Sequence, residues 1–224
     1  AAAWGAFATS GQRCTSTSRL IVLPGIKEDF TARLLDRVAT MKVGSGLDPD
    51  VELAPVINRT QKDRVLSYIG IGQEEGAVLL TGGEELTGPG YDRGNFIAPT
   101  VFDAMAPSMR IAQEEIFGPV TGIISVPSLE EAIAVANGTE YGLSCSIYTR
   151  DIGATFTAIT ELDFGVVYIN APTIGAEIQL PFGGTKATGN GHREAGPVAL
   201  DEFTEWKSVS VDFSGKVQKA QGIE

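Results

Sequence analysis

An α/β fold, three-layered with a mostly parallel sheet covered by helices, is what this sequence predicts, and three observations predict it. Strand-like and helix-like segments alternate along the chain, the strand-like runs are short and apolar, and no repeat, linker or low-complexity stretch interrupts them. With 224 residues, 43% of them apolar and 20% charged, the chain is long enough to bury one sizeable core. We read one domain over residues 1–190 and a C-terminal extension over residues 191–224.

The elements follow in order. Residues 1–8, "AAAWGAFA", read as the end of a helix, and Arg19–Leu23 as an apolar strand. Over Ile26–Met41 the apolar positions Phe30, Leu34, Leu35 and Val38 recur near helical spacing, and the pattern runs out towards Gly44. A Pro-rich turn region, "GLDPDVELAPV", leads to a second helix over Asn58–Gly76, carried by Val65, Leu66, Ile69 and Ile71. Strand Ala77–Leu80 stops at Gly82 and Gly83, and short strands at Phe96–Phe102 and Val120–Val126 come after the loop "TGPGYDRGN". Ser128 and Glu131 form a capping box, which opens a helix to Asn137. Leu143–Tyr148 then reads as a strand, Ile152–Leu162 as a helix and Gly165–Ile169 as a buried strand.

Charge and cysteine usage narrow the function. A formal net charge of −11 argues against nucleic acid and against anionic membrane surfaces as partners, which leaves small molecules or proteins. No run reaches the apolar length of a membrane span. The start lacks both the basic region of a signal peptide and an initiator Met, so the chain reads as a piece of a longer protein. Two cysteines, Cys14 and Cys145, are too few for a disulfide scaffold, and a reducing, cytoplasmic compartment is expected.

Cys14 stands apart from an ordinary core cysteine. In "FATSGQRCTSTS" its neighbours are small or polar, with Arg13 adjacent, and they offer no apolar face on which a thiol would be buried. Cys145, in the strand-like "YGLSCSIYTRD", reads as buried. Three loops are rich in polar residues or glycine: "TSGQRCTS", "QEEIFGPV" and "APTIGAEIQLPFGG". Ligands of open α/β sheets collect beyond the carboxyl ends of strands, and that is where these loops are expected.

In this order and at these separations the three loops resemble the catalytic half of the aldehyde dehydrogenase superfamily, and the likeness covers nearly the whole chain. "FATSGQRCT" resembles the nucleophile signature, "EEIFGPV" the nicotinamide-ribose segment, and "PFGGTKATGNGHREAG" the region that closes the catalytic domain. The resemblance implies Cys14 as the nucleophile that adds to an aldehyde, with NAD or NADP taking up the electrons and a thioester left for water. The Cys14 N–H would be one oxyanion donor. The family's Asn donor upstream of the nucleophile and its Glu that activates water have no counterpart here, nor has the dinucleotide-binding half, so the chain alone is expected to be inactive. Gln12 and Arg13 read as shaping the loop.

Glu115 and Phe117 match the family's cofactor-contacting positions: a carboxylate can accept from both ribose hydroxyls, and a ring beside it limits where the nicotinamide swings. Taken alone, "EEIF" would be an acidic pair on a solvated turn with its Phe in the core, and Glu114 is still read as a surface charge. "NAPTIGAEI" resembles the anchor loop of amino-acid semialdehyde dehydrogenases, antiquitin-like enzymes above all, which makes Thr173, Gly175 and Ala176 candidates for holding a substrate carboxylate. On loop statistics a plain glycine turn fits equally well. Phe182 and Phe7 are candidates to line the aldehyde tunnel, Phe7 equally for the core. His192, the one histidine, has no partner cysteine or second histidine, so no metal site is expected.

The tail "TEWKSVSVDF" alternates as a strand does and has no sequential partner. The family uses such a strand to extend a neighbouring subunit's sheet, which implies a homo-oligomer; a local hairpin is the alternative. "SGKVQKAQGIE" after it reads as frayed. Two further functional classes stay open at this point: a cofactor-independent cysteine thioester hydrolase or esterase, and a non-catalytic assembly module of the same fold.

Overall fold

The structure, a computed structural model, describes residues 1–216. Its helices are α1 (Ala2–Phe7), α2 (Pro24–Ala39), α3 (Arg59–Glu74), α4 (Arg110–Gln113), α5 (Leu129–Asn137), α6 (Ile152–Glu161) and α7 (Leu200–Phe203). Its strands are β1 (Arg19–Val22), β2 (Val78–Thr81), β3 (Thr100–Asp103), β4 (Val120–Ser125), β5 (Tyr141–Gly142), β6 (Ser144–Ile147), β7 (Val166–Ile169) and β8 (Thr185–Lys186). The helix starts are written in the sequence. Asn58 Oδ1 accepts from Gln61 N at 2.9 Å, Ser128 Oγ from Glu131 N at 3.2 Å and Asp151 Oδ1 from Gly153 N at 2.7 Å, while Pro24 opens α2 without needing a donor.

Four strands make the main sheet in the order β1-β4-β3-β2. β4 is central and pairs in parallel with both β1 and β3, and β2 joins the edge antiparallel to β3. Alternation along the strands builds a core on each face. Val101 of β3 and Ile123 of β4 pack with Phe7, Leu20, Leu34 and Val38 beneath α1 and α2. Their neighbours Phe102 and Ile124 pack with Val65, Ile69, Ile111 and Val135 beneath α3, α4 and α5. Each fully buried Phe, Leu or Ile of this kind contributes about 1.5–3 kcal/mol relative to exposure. The expected three layers are thus present, helices over both faces of a mostly parallel sheet.

Several elements differ from expectation. The sheet is not continuous: β6 and β7 form a separate parallel pair, and β5 and β8 a short antiparallel one. With one strand partner each, β6 and β7 are only half-buried, so the expected burial of Gly165–Ile169 and of Cys145 is partial. The strand expected over Phe96–Phe102 starts only at Thr100, because Pro99 has no N–H to give to a ladder. Residues 204–213 form no ladder among the described residues; Trp206 is 90% and Phe213 95% exposed, so a local hairpin is not what the tail makes. The fraying expected over residues 214–224 lies, from 217 onwards, outside the described residues. Among the described residues no helix is long and apolar enough to cross a membrane.

Candidate active site

Two chain segments approach one another at the edge of the main sheet. The first runs from α1 into β1. After Phe7 the chain turns through three consecutive left-handed residues, Thr9 (φ 60°), Ser10 (φ 59°) and Gly11 (φ 65°). For a β-branched residue such as Thr9 this is a strained conformation, and it persists because the surroundings hold it. Ser10 Oγ donates to Ala54 O at 2.6 Å, and Gln12 Oε1 accepts from Ile57 N at 3.0 Å, so the turn is tied to the chain that enters α3. Thr17 N then donates to Gly5 O at 2.9 Å and folds the segment back on α1. Cys14 is left exposed at the tip, and among the described residues its N–H donates to no backbone acceptor.

The second segment runs from α4 into β4. Glu114 ends α4 in an extended conformation (φ −108°, ψ 150°), and Phe117 is left-handed (φ 58°). One face of α3 holds this segment residue by residue. Tyr68 Oη donates to Glu114 Oε2 at 2.6 Å, Arg64 Nη2 to Glu115 O at 2.5 Å, and Gln61 Nε2 to Ile116 O at 3.0 Å and Phe117 O at 2.8 Å. From the other side Arg110 grips Glu114 with both Nε (2.7 Å) and Nη2 (2.9 Å). Glu114 is therefore no freely solvated charge: the Arg110 guanidinium, and after it the Tyr68 hydroxyl, hold its pKa down to about 2. In return the carboxylate pushes the Tyr68 phenol upwards.

Between the segments lies a cleft of about 420 Å³ whose walls include Arg13, Cys14, Glu115, Phe117, Tyr141 and Phe164. A second hollow of about 420 Å³, lined by Arg59, Lys62, Tyr91 and Arg93 among others, holds none of the expected site residues. We place the site at the first because a thiol, a carboxylate and an aromatic ring converge there. Cys145 lies outside it, with burial pushing its thiol pKa up. Both segments precede their strands, so the cleft opens at the amino ends of the paired parallel strands β1 and β4. This corrects the expectation of carboxyl-end loops. That rule describes strand-to-helix loops, whereas Cys14 and Glu115 sit on helix-to-strand connections.

The candidate substrate loop does follow its strand, β7, and meets the cleft through one contact: Thr173 Oγ1 lies 2.8 Å from Thr17 Oγ1. Gly175 (φ 110°), Ala176 and Phe182 are not among the cleft's walls, and Phe182 instead forms a two-residue bridge with Glu194. Phe7 is fully buried and belongs to the core. His192 Nδ1 lies 2.6 Å from Glu202 Oε1, and no group of three metal-binding side chains gathers among the described residues. Sequence reasoning missed Gln61, Arg64 and Tyr68. Their spacing of i, i+3 and i+7 sets them on one helix face, yet a polar stripe on a helix ordinarily means a solvated one.

The groups present suit a ribose-linked planar ring. Glu115 engages the protein through its backbone carbonyl, which leaves its carboxylate for a diol, and Phe117 beside it is 37% exposed.

Comparison with known proteins supplies the setting. The sequence model of the aldehyde dehydrogenase family matches residues 1–209. The chain is 47% identical over 207 residues to an alpha-ketoglutaric semialdehyde dehydrogenase of Bacillus subtilis, covering 92% of this chain and 42% of that protein. It is 39% identical over 208 residues to a betaine aldehyde dehydrogenase of Mesorhizobium japonicum, covering 93% and 42%. Among solved structures it superposes on an NAD-dependent aldehyde dehydrogenase from Sinorhizobium meliloti with a TM-score of 0.90 at 36% identity, over 97% of this chain and 42% of that one. It superposes on betaine aldehyde dehydrogenase from Staphylococcus aureus in complex with NAD+ with a TM-score of 0.87 at 37% identity, over 90% and 40%. The chain thus spans about 42% of the length of the curated relatives it matches.

Proposed function

The chain belongs to the aldehyde dehydrogenase family, and on that premise we propose that the protein carrying it oxidises an aldehyde to a carboxylic acid with NAD or NADP, through Cys14. The observation that carries this reading is the convergence of exposed Cys14, Glu115 and Phe117 on one cleft. The Cys14 thiolate attacks the aldehyde carbon, a C–S bond forms, and the carbonyl oxygen becomes an oxyanion that the Cys14 N–H is free to receive. Glu115 and Phe117 would hold the ribose and the nicotinamide. When bound, the cofactor accepts two electrons and a hydrogen from the former aldehyde carbon. The thioester left on Cys14 is then opened by water: a C–O bond forms, the C–S bond breaks, and the thiol is restored. A relative named for NAD+ in its complex supports NAD as the cofactor.

The substrate reading is an aldehyde with a distal carboxylate. A semialdehyde dehydrogenase at 47% identity supports it, and so does Arg13, which brings a cation to the cleft wall. In this reading Thr173, which meets the cleft through Thr17, carries the carboxylate anchor with Gly175 and Ala176 beyond the cleft walls, and Phe182, also outside those walls, the apolar approach. Residues 1–190 are the catalytic domain and 191–224 its extension, whose segment 204–213 pairs with a neighbouring copy's sheet in a cytoplasmic homo-oligomer; the exposed apolar tail supports that pairing. On its own the chain turns over no aldehyde.

The test is NADH formation by the full-length protein with a semialdehyde. Wild type is expected to be active and Cys14→Ala inactive at unchanged secondary structure. Full activity in Cys14→Ala overturns the reading, and thioester hydrolysis without cofactor as the sole activity replaces it with the hydrolase.

A further inference from the structure

The cofactor segment carries two adjacent acids with opposite fates, and the contrast points beyond the groups that line the cleft. Glu114 is extended, so the next side chain projects to the other side of the backbone. Both residues line the cleft, but the Glu114 carboxylate is gripped by Arg110 and Tyr68, whereas among the described residues no hydrogen bond or ion pair holds the Glu115 carboxylate. The ring of Tyr68 is itself flanked by two guanidinium groups, Arg64 at 5.5 Å and Arg110 at 5.7 Å from its centroid, which fixes the phenol between α3 and α4. Tyr68 lines no part of the cleft.

We propose that Tyr68 is a positioning residue for the cofactor: by holding Glu114 it fixes the backbone direction that turns Glu115 towards the ribose, without touching the ligand itself. This rests on the functional reading above. Without the phenol hydrogen bond, Arg64 and Gln61 still hold the carbonyls of Glu115, Ile116 and Phe117, but the Glu114 side chain loses its tie to α3, so the backbone on the amino side of Glu115 is less fixed and its carboxylate samples orientations in which a diol is bridged less well.

Titration calorimetry of NAD+ into the full-length protein reads the effect without turnover. Tyr68→Phe is expected to weaken NAD+ binding about three- to ten-fold and to raise the KM for NAD+ by a similar factor, with kcat changing less than about two-fold. Arg110→Gln, which loosens the same carboxylate from the α4 side, is expected to act in the same direction. In a Glu115→Ala background Tyr68→Phe is expected to cost nothing further, because the group it positions is gone. An unchanged NAD+ affinity in folded Tyr68→Phe, or losses that simply add in the double variant, overturns the proposal. Wild-type protein that binds no NAD+ overturns the functional reading and this inference with it. Aldehyde oxidation that survives Cys14→Ala, beside a weakened Tyr68→Phe, overturns the nucleophile assignment alone.

Discussion

Gly11 and Gly118 meet backbone to backbone: a methyl group on Gly11 would lie 2.0 Å from the Gly118 carbonyl oxygen. The contact joins the turn that carries Cys14 to the turn that carries Glu115 and Phe117, the two walls of the cleft, before either enters its strand.

Gly11→Ala is therefore expected to be among the most damaging small substitutions in the chain. It adds a left-handed strain of about 1–2 kcal/mol to a collision with backbone that cannot rotate away, for a total of about 3 kcal/mol or more. Gly25→Ala, in α2 with nothing within 4 Å of the added carbon, is the control and is expected to stay within about 1 kcal/mol of wild type. Urea unfolding of both variants checks the order.

The two thiols should separate under limiting iodoacetamide at neutral pH. Cys14 is exposed, whereas Cys145 is partly covered and has its pKa raised by burial. Peptide mass spectrometry is expected to find Cys14 alkylated first, and equal labelling would contradict an accessible nucleophile.

Glu114 gives stability a definite pH signature. Its folded pKa is depressed from 4.5 to about 2, so its contribution is fully present above the unfolded value and is lost as pH falls through the interval between them. The advantage of wild type over Glu114→Gln in urea unfolding is expected to hold at pH 7 and to shrink between about pH 5 and pH 2. A constant difference across that range would mean that the ion pair does not form in solution.

On the proposed reading, the loop of Thr173, Gly175 and Ala176 sets the substrate preference. The full-length enzyme is expected to favour a semialdehyde with a distal carboxylate over an uncharged aldehyde of equal length by ten-fold or more in kcat/KM, since unpaired donors cost about 1–3 kcal/mol each. Gly175 has open space around it but a φ of 110°, so Gly175→Val would refold the turn through backbone strain rather than by filling it. That variant is expected to lose the preference while uncharged aldehydes react within about three-fold of wild type.

What could be read in the sequence was what local chemistry dictates. Ser128 caps its helix by accepting from Glu131 N, and the helical stripe of Leu34 and Val38 packs into the core, each as its spacing requires. The polar setting of Cys14 correctly marked it as exposed. Illegible features depend on distant partners. Nothing local tells that the Tyr68 hydroxyl meets Glu114, 46 positions away, or that Thr9 adopts a conformation its own side chain opposes. The split of the sheet was hidden for the same reason, since pairing partners are chosen by the whole fold and strand-like runs look alike.

The left-handed turn through Thr9 and Ser10 also bears on how such an enzyme can evolve. Each of these residues holds a conformation about 1–2 kcal/mol above its relaxed one, offset by the ties of the turn, Ser10 to Ala54 and Gln12 to Ile57, and the turn leads to the exposed thiol. Selection for heat tolerance alone would be drawn to glycine or asparagine at Thr9, where the strain disappears, and at Ser10 would weigh that gain against the buried bond to Ala54. Selection for turnover would resist those exchanges, because a relaxed turn no longer specifies where the sulfur points. On the proposed reading, thermal hardening and catalytic competence thus compete at a pair of residues to which the mechanism gives no chemical step.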